Sequence, residues 1–189
     1  MSKTLGNVNK VIDDAAFVQD VIRRDVPMLS SDWGTKDEDA LLHTLGINLF
    51  ASLARAAGYI GLAEFPVPRA QQWQRKLVRV DSAWFDRTNR RPVVLVEFER
   101  FSMETVLEKL TNLYVAAHGC EVAPDLLLLC IWALDGDSVD TKWFDPNRSL
   151  TVSGGPVVRR PELSSVIVLQ SVFGRQSDAL HFVRFRRLA

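Results

Sequence analysis

The stretch Val93–Arg100, VVLVEFER, constrains the fold more than any other part of the sequence. It begins as a run of β-branched and apolar residues, which is typical of a strand inside a sheet. Because side chains alternate along a strand, Glu97 and Glu99 share one face with the apolar residues Val93 and Leu95. This face therefore begins with apolar residues suited to a hydrophobic core and ends with two carboxylates. The two carboxylates need partners, because burying an unpaired charge destabilises the fold.

Hydrophobic periodicity and turn residues along the rest of the chain predict alternating helices and strands. Ser102 is a suitable N-cap for the helix that follows the glutamates, and Gly119 stands just past its end. We expect an α/β domain over residues 36–189, preceded by an N-terminal helical extension over residues 1–35. The predicted helices cover residues 11–24, 37–57 and 102–118, and the predicted strands cover residues 59–67, 76–85, 93–99, 126–133, 165–173 and 181–187.

The strand before the glutamates is expected to pair with theirs as a hairpin across a polar turn. If Phe85 lies opposite Val93, Asp81 falls opposite Glu97 on the same face, whereas a register shifted by one residue sends Asp81 to the other face. In the first register three carboxylates converge, and a divalent cation with oxygen ligands is the simplest counter-charge. Removing Asp81 or Glu97 should then relieve repulsion, so the metal-free variants should melt no lower than the parent.

Composition favours a cytoplasmic protein. Cys120 and Cys130 offer neither a disulfide framework nor a metal-binding spacing, which predicts free thiols in a reducing compartment. The N-terminus, MSKTLGNVNK, lacks the apolar core of a signal peptide. The longest apolar run, Leu126 to Leu134, is shorter than the roughly 20 residues that a membrane-spanning helix needs.

Charge is unevenly placed along a chain whose formal net charge is zero. Residues 69–91 hold seven basic and two acidic residues, and residues 148–189 again hold seven and two. These two segments, here called the basic rim, would flank the acidic strand. They predict either a phosphate-binding surface or a set of solvated loop charges.

Asp81, the polar turn, Glu97-Phe98-Glu99, the amphipathic helix and the next apolar strand together resemble the PD-(D/E)XK nuclease superfamily. The resemblance covers about residues 37–133 and, more loosely, residues 165–173. It implies a restriction-endonuclease-like core, in which a mixed central β-sheet is flanked by helices. Glu99 stands at the usual lysine position, as in the Glu-X-Glu variant of the motif, and Val80 replaces the motif's proline.

The resemblance also implies roles for individual residues. Asp81 and Glu97 would bind Mg²⁺, with Mn²⁺ as a substitute, and the carbonyl of Phe98 would add a ligand. Glu99 would orient or deprotonate the attacking water. Glu64, in the preceding strand, is either a further metal-side carboxylate or an exposed edge residue.

Three basic residues are candidates for nucleic-acid contacts. Arg79 and Arg100 would contact phosphate, and Lys109 would either reach the site as a displaced lysine or lie on a solvated flank of its helix. His43 has no partner at ligand spacing, so it is interpreted as a structural or surface residue.

The function that these residues favour is a metal-dependent endonuclease, a hydrolase that cleaves phosphodiester bonds in DNA. The alternative is a catalytically inactive nuclease-fold protein that serves as a nucleic-acid-binding or protein-assembly subunit. In either case the chain would act as a homodimer or with a partner protein of a larger nuclease system.

Overall fold

The computed structural model describes residues 3–67, 78–152 and 157–189. Its helices are α1 (Lys3–Asp13), α2 (Ala15–Asp25), α3 (Asp39–Ala56) and α4 (Met103–Gly119), with a short 3₁₀ turn at Pro27–Leu29. Its strands are β1 (Thr35–Lys36), β2 (Ile60–Val67), β3 (Val78–Phe85), β4 (Pro92–Arg100), β5 (Leu126–Leu134), β6 (Leu150–Thr151), β7 (Val157–Val158), β8 (Ser165–Gln176) and β9 (Ala179–Arg187). None of the described helices is both long and apolar enough to cross a membrane.

A seven-stranded mixed sheet forms the centre of the protein, in the order β1-β9-β8-β5-β4-β3-β2. Strands β4, β5 and β8 run parallel to one another, and the remaining neighbours are antiparallel. Helix α4 connects β4 to β5, as a parallel pair requires. The predicted α/β class, with a mixed central sheet flanked by helices, is confirmed.

The two faces of the sheet bury different apolar sets. Val94, Val96 and Phe98 of β4 join the core beneath α3, whereas Leu95 joins the core beneath α4. Helix α4 begins at its predicted cap, where the Ser102 hydroxyl accepts a hydrogen bond from the backbone N–H of Thr105 at 3.2 Å. The predicted alternation along β4 therefore sends Glu97 and Glu99 toward α4.

The N-terminal segment differs from the sequence prediction. A single helix over residues 11–24 is wrong, because the chain breaks at Asp14 into α1 and α2. The Asp14 carboxylate caps α2 by accepting a hydrogen bond from the N–H of Phe17 at 3.0 Å. Val8 of α1 and Ile22 of α2 share one core with Leu42 of α3. The division into residues 1–35 and 36–189 stays a prediction.

The β3–β4 hairpin has the predicted register over its middle. Ser82 lies opposite Val96, and Ala83 and Trp84 follow the same pairing. A bulge after Trp84 sets Phe85 opposite Pro92, so the predicted Phe85–Val93 pair is wrong. The first two residues of the predicted strand, 76 and 77, lie outside the described residues. The backbone pairing of β3 with β4 ends at Ser82 and Val96, and Asp81 and Glu97 are the next residues beyond this last pair.

Candidate active site at the end of strand β4

Asp81 takes the place of a backbone acceptor where β3 and β4 stop pairing. Its Oδ2 accepts a hydrogen bond from the N–H of Phe98 at 2.8 Å. The carboxylate is therefore anchored to β4 and cannot turn to the far side of the hairpin without leaving that N–H unpaired. This contact, more than the predicted pairing of Asp81 with Glu97, brings the two acids together.

Glu97 is fully buried, with 0 % of its side chain exposed. Both of its carboxylate oxygens are inaccessible, and neither has a hydrogen bond of good geometry among the described residues. Among the described residues, Nζ of Lys109 pairs with this carboxylate and lies 2.8 Å from its Oε2. A buried carboxylate that meets a single ammonium among the described residues keeps unused coordinating capacity.

Lys109 reaches from α4 into the space between the three carboxylates. Its Nζ lies 3.2 Å from Oδ2 of Asp81 and 3.8 Å from Oε2 of Glu99, in addition to its contact with Glu97. Only 19 % of its side chain is exposed, so it does not lie on a solvated flank. Lys109 therefore supplies, from within the chain, a counter-charge for which the sequence predicts a metal ion. We call Asp81, Glu97, Glu99 and Lys109 the carboxylate–lysine cluster.

Glu99 lies at the mouth of this cluster. Its Oε1 accepts a hydrogen bond from the N–H of Arg100 at 2.9 Å, and its Oε2 faces Lys109. The side chain is about a quarter exposed, at 27 %. Of the three carboxylates, Glu99 is therefore the one most accessible to water.

His43 joins the cluster from the opposite side of the sheet. Its Nε2 lies 3.5 Å from Oδ1 of Asp81, and its ring centroid lies 6.2 Å from that of Phe98. The interpretation of His43 as merely structural or surface missed this contact. No local sequence signal marks it, since the contact exists only because α3 packs against the hairpin.

The surroundings of the cluster shift the pKa values of its members. Burial acts to raise the pKa of Asp81, but the hydrogen bond with His43 and the charge of Lys109 outweigh it and lower the pKa to about 2. Burial and the neighbouring Asp81 charge raise the pKa of Glu97 well above its usual value. Burial opposes the charge of Lys109, but Glu97 and Asp81 raise its pKa on balance. The hydrogen bond with Asp81 raises the pKa of His43.

Two predicted site residues, Glu64 on the edge strand β2 and Arg79 on its neighbour β3, lie outside the cluster. The Glu64 carboxylate is 60 % exposed and lies 3.2 Å from the guanidinium of Arg79, which is also exposed. Glu64 has a positive φ of 49° and is absent from the β2–β3 pairing. Of the two alternatives for Glu64, the exposed edge residue describes its environment.

Arg100 points to the face opposite Glu97 and Glu99. Its guanidinium lies 2.6 Å from Oδ1 of Asp39, at the start of α3, and 4.7 Å from the centroid of the Trp132 ring. A phosphate contact by Arg100 would compete with this ion pair.

Ion pairs also engage much of the basic rim. Four of its arginines lie within 4 Å of aspartates in distant parts of the chain, in the pairs Arg91–Asp125, Arg175–Asp37, Arg184–Asp135 and Arg187–Asp13. Arg69, Arg75 and Lys76 of the rim lie outside the described residues. The described arginines therefore do not form a purely cationic surface.

The cluster fits a small divalent cation in its chemistry but not as a ready-made cage. Within the described ranges, no group of three or more His, Cys, Asp or Glu side chains is placed to hold a metal ion. Mg²⁺ is commonly held by one or two carboxylates and keeps several waters. Asp81 and Glu97 supply that smaller set, and the buried oxygens of Glu97 lack hydrogen bonds of good geometry within the part of the chain that the structure describes.

Comparisons with protein-family models, with curated proteins and with solved structures gave no match.

Proposed function

We propose that this protein is a metal-dependent nuclease that hydrolyses phosphodiester bonds in DNA, built on a restriction-endonuclease-like core. The observation that carries the proposal is Lys109, whose Nζ lies among Asp81, Glu97 and Glu99 at the end of a central strand. The resemblance implies a lysine beside two acids, and the motif position itself holds Glu99. Lys109 supplies the missing cation from the neighbouring helix. The element order α3-β2-β3-β4-α4-β5 agrees with the order on which the resemblance depends.

Asp81 and Glu97 are the residues proposed to hold Mg²⁺, with the Phe98 carbonyl as a further ligand. Mg²⁺ bound there would polarise the scissile phosphate and lower the pKa of a coordinated water. The hydrogen bond from Phe98 to Asp81 keeps the Asp81 carboxylate in place before any ligand arrives. Such preorganisation reduces the free energy that binding would otherwise spend on ordering this carboxylate.

Lys109 and Glu99 are proposed to have separate roles in the reaction. Lys109 neutralises the buried carboxylates in the free protein and donates hydrogen bonds to a phosphate oxygen when substrate is bound. Glu99 has one oxygen held by the Arg100 N–H, and its other oxygen is placed to accept a proton from the attacking water. Arg79 and Arg100 remain candidates for phosphate contacts only if they leave Glu64 and Asp39.

The test is DNA cleavage with matched carboxylate variants. We expect the parent to cut plasmid DNA with Mg²⁺ or Mn²⁺ and to be inactive in EDTA. Glu97→Gln should abolish cleavage, whereas Glu64→Gln, the same change on an exposed carboxylate outside the cluster, should leave it near the parent rate. Cleavage that survives Glu97→Gln, in a protein whose fold is verified by circular dichroism, would contradict the proposal.

A second candidate is a nuclease-fold subunit without catalysis. The same position of Lys109 favours it, because the ammonium already satisfies the charges that would otherwise require a metal ion. Metal affinity separates the two functions: a catalytic site must admit a divalent cation beside Lys109, and a purely structural cluster need not. Calorimetric titration of the EDTA-treated protein with MnCl₂ measures this directly.

We further propose a cytoplasmic location and DNA as the partner, with the chain acting as a homodimer or with a partner protein. Cys120 and Cys130 are both free thiols, which supports a reducing compartment.

A further inference from the structure

Helix α3 lies unusually close to β4 at one glycine. An ideal Cβ built on Gly46 would lie 2.5 Å from both Cδ1 and Cζ of the Phe98 ring, and it would overlap Cε1. Real Cβ atoms essentially never approach another heavy atom so closely. Glycine is unfavourable inside a helix, so its presence in the middle of α3 requires a packing reason. The Phe98 ring, which is 1 % exposed, supplies that reason.

The contact between Gly46 and Phe98 lies between two groups of the proposed site, His43 on α3 and the Phe98 backbone on β4. His43 lies three residues before Gly46 and therefore on the same side of α3. Phe98 stands between Glu97 and Glu99, and its N–H is the hydrogen-bond donor to Asp81. The distance between α3 and the Phe98 ring therefore determines how His43 meets Asp81, which it now does at 3.5 Å.

We propose that Gly46 is a positioning residue of the proposed active site: by admitting the Phe98 ring beneath α3, it holds His43 against Asp81 and holds the Phe98 backbone in place. The functional consequence of this geometry, a preorganised Asp81 carboxylate, rests on the proposed function. The effect of Gly46 on the contacts of His43 and Phe98 concerns the metal-free protein, so it can be tested without an activity assay.

The central variant is Gly46→Ala. The added methyl group must either lift α3 or push the Phe98 ring, and both movements disturb the Asp81 contacts. Phe98→Val removes the ring atoms that the methyl would meet. In that background Gly46→Ala fills vacated space and improves helix propensity. We therefore expect Gly46→Ala to lower the melting temperature of the parent and to raise that of the Phe98→Val protein.

Two readouts separate positioning from general stability. The first is the amide proton shift of residue 98 in the metal-free protein, because a hydrogen bond to a carboxylate moves this resonance downfield. The second is the Mn²⁺ dissociation constant, which changes about 10- to 100-fold when groups that orient metal ligands are lost. Leu53→Ala is the control, since Leu53 is a fully buried residue of α3 toward its other end.

Gly46→Ala should move the residue-98 amide upfield and weaken Mn²⁺ binding at least about tenfold. Leu53→Ala should change neither, despite lowering the melting temperature. The positioning role is overturned if Gly46→Ala leaves the amide shift unchanged, if Leu53→Ala moves it equally, or if Gly46→Ala also destabilises the Phe98→Val protein. This last comparison decides the question even where Gly46→Ala alone does not fold. A parent that neither binds Mn²⁺ nor cleaves DNA would refute the proposed function, while the amide shifts would still test the geometry.

Discussion

Replacing Lys109 by methionine removes one charge from the carboxylate–lysine cluster and keeps most of the apolar stem. The ammonium lies 2.8 Å from a fully buried carboxylate and is itself only 19 % exposed, so solvent cannot replace it well. Leaving one partner of a buried ion pair uncompensated costs about 3 to 5 kcal/mol. In a domain of this size, 1 kcal/mol corresponds to roughly 2 to 4 °C, so a loss of about 3 kcal/mol lowers the melting temperature by roughly 6 to 12 °C.

The loss should grow with pH. The pKa of Glu97 is already raised, so its contribution to stability is present below its unfolded pKa and is lost as the pH rises through its folded pKa. Without Lys109 the folded-state pKa of Glu97 rises further, because loss of the neighbouring positive charge favours the neutral form of the acid. We expect Lys109→Met to be closer to the parent at about pH 5 than at about pH 8.

Thermal and urea unfolding at both pH values measure this effect. Lys142→Met is the matched control, because Lys142 is exposed and lies in a loop between β5 and β6. The control should unfold like the parent throughout. A Lys109→Met protein as stable as the parent at about pH 8 would show that Lys109 does not stabilise the buried carboxylate, and would refute the electrostatic account of the cluster.

Three other predictions address individual residues and the substrate. The pKa of Asp81 is lowered to about 2, so its contribution to stability is present above its unfolded pKa and lost as the pH falls. Unfolding at about pH 5 and about pH 2.5 should show a loss that reaches about 2 kcal/mol in the parent, and an equal loss in Asp81→Asn would refute this assignment. Glu99→Gln should keep Mn²⁺ affinity in calorimetry but lose about a hundredfold or more in cleavage rate, whereas parental turnover would remove Glu99 from the reaction. DNA affinity in mobility-shift assays should fall steeply between about 50 and about 200 mM salt, and salt-independent binding would argue against phosphate recognition.

The parts of the site that follow from periodicity were predictable from sequence. Side chains alternate between the two faces of a strand, so Leu95, Glu97 and Glu99 must lie on the same face of β4. The predicted register holds for Ser82 with Val96, although the pair from which it was counted, Phe85 with Val93, is wrong. Lys109 lies three residues after Val106 and four before Leu113, both buried, so helical spacing could have placed it toward the sheet.

Other features depend on packing that no local pattern records. The contact between His43 and Asp81 joins residues far apart in the chain, and it exists because α3 settles on the Phe98 ring at Gly46. The bulge after Trp84 is a local backbone adjustment. The break at Asp14 did have a signal, since Asp is a good N-cap, but the apolar periodicity continues across it.

One expectation changes sign once the contacts of Asp81 are known. Repulsion among three carboxylates predicts that the metal-free protein without Asp81 melts at a temperature equal to or higher than that of the parent. The structure instead pairs Asp81 with Lys109, with His43 and with the buried N–H of Phe98. Removing the carboxylate leaves that N–H without its acceptor, at a cost of about 1 to 3 kcal/mol. Asp81→Ala should therefore melt below the parent.

Anomalous diffraction from crystals soaked in MnCl₂ shows whether the carboxylate–lysine cluster binds a divalent cation. We expect a manganese peak in contact with Asp81 and Glu97, with Nζ of Lys109 moved away from Oε2 of Glu97. Glu97→Gln crystals soaked in the same way should show no peak. Crystals that show no peak at this position, with Lys109 still between the carboxylates, would contradict a metal-dependent nuclease and would leave the cluster as a structural ion-pair network.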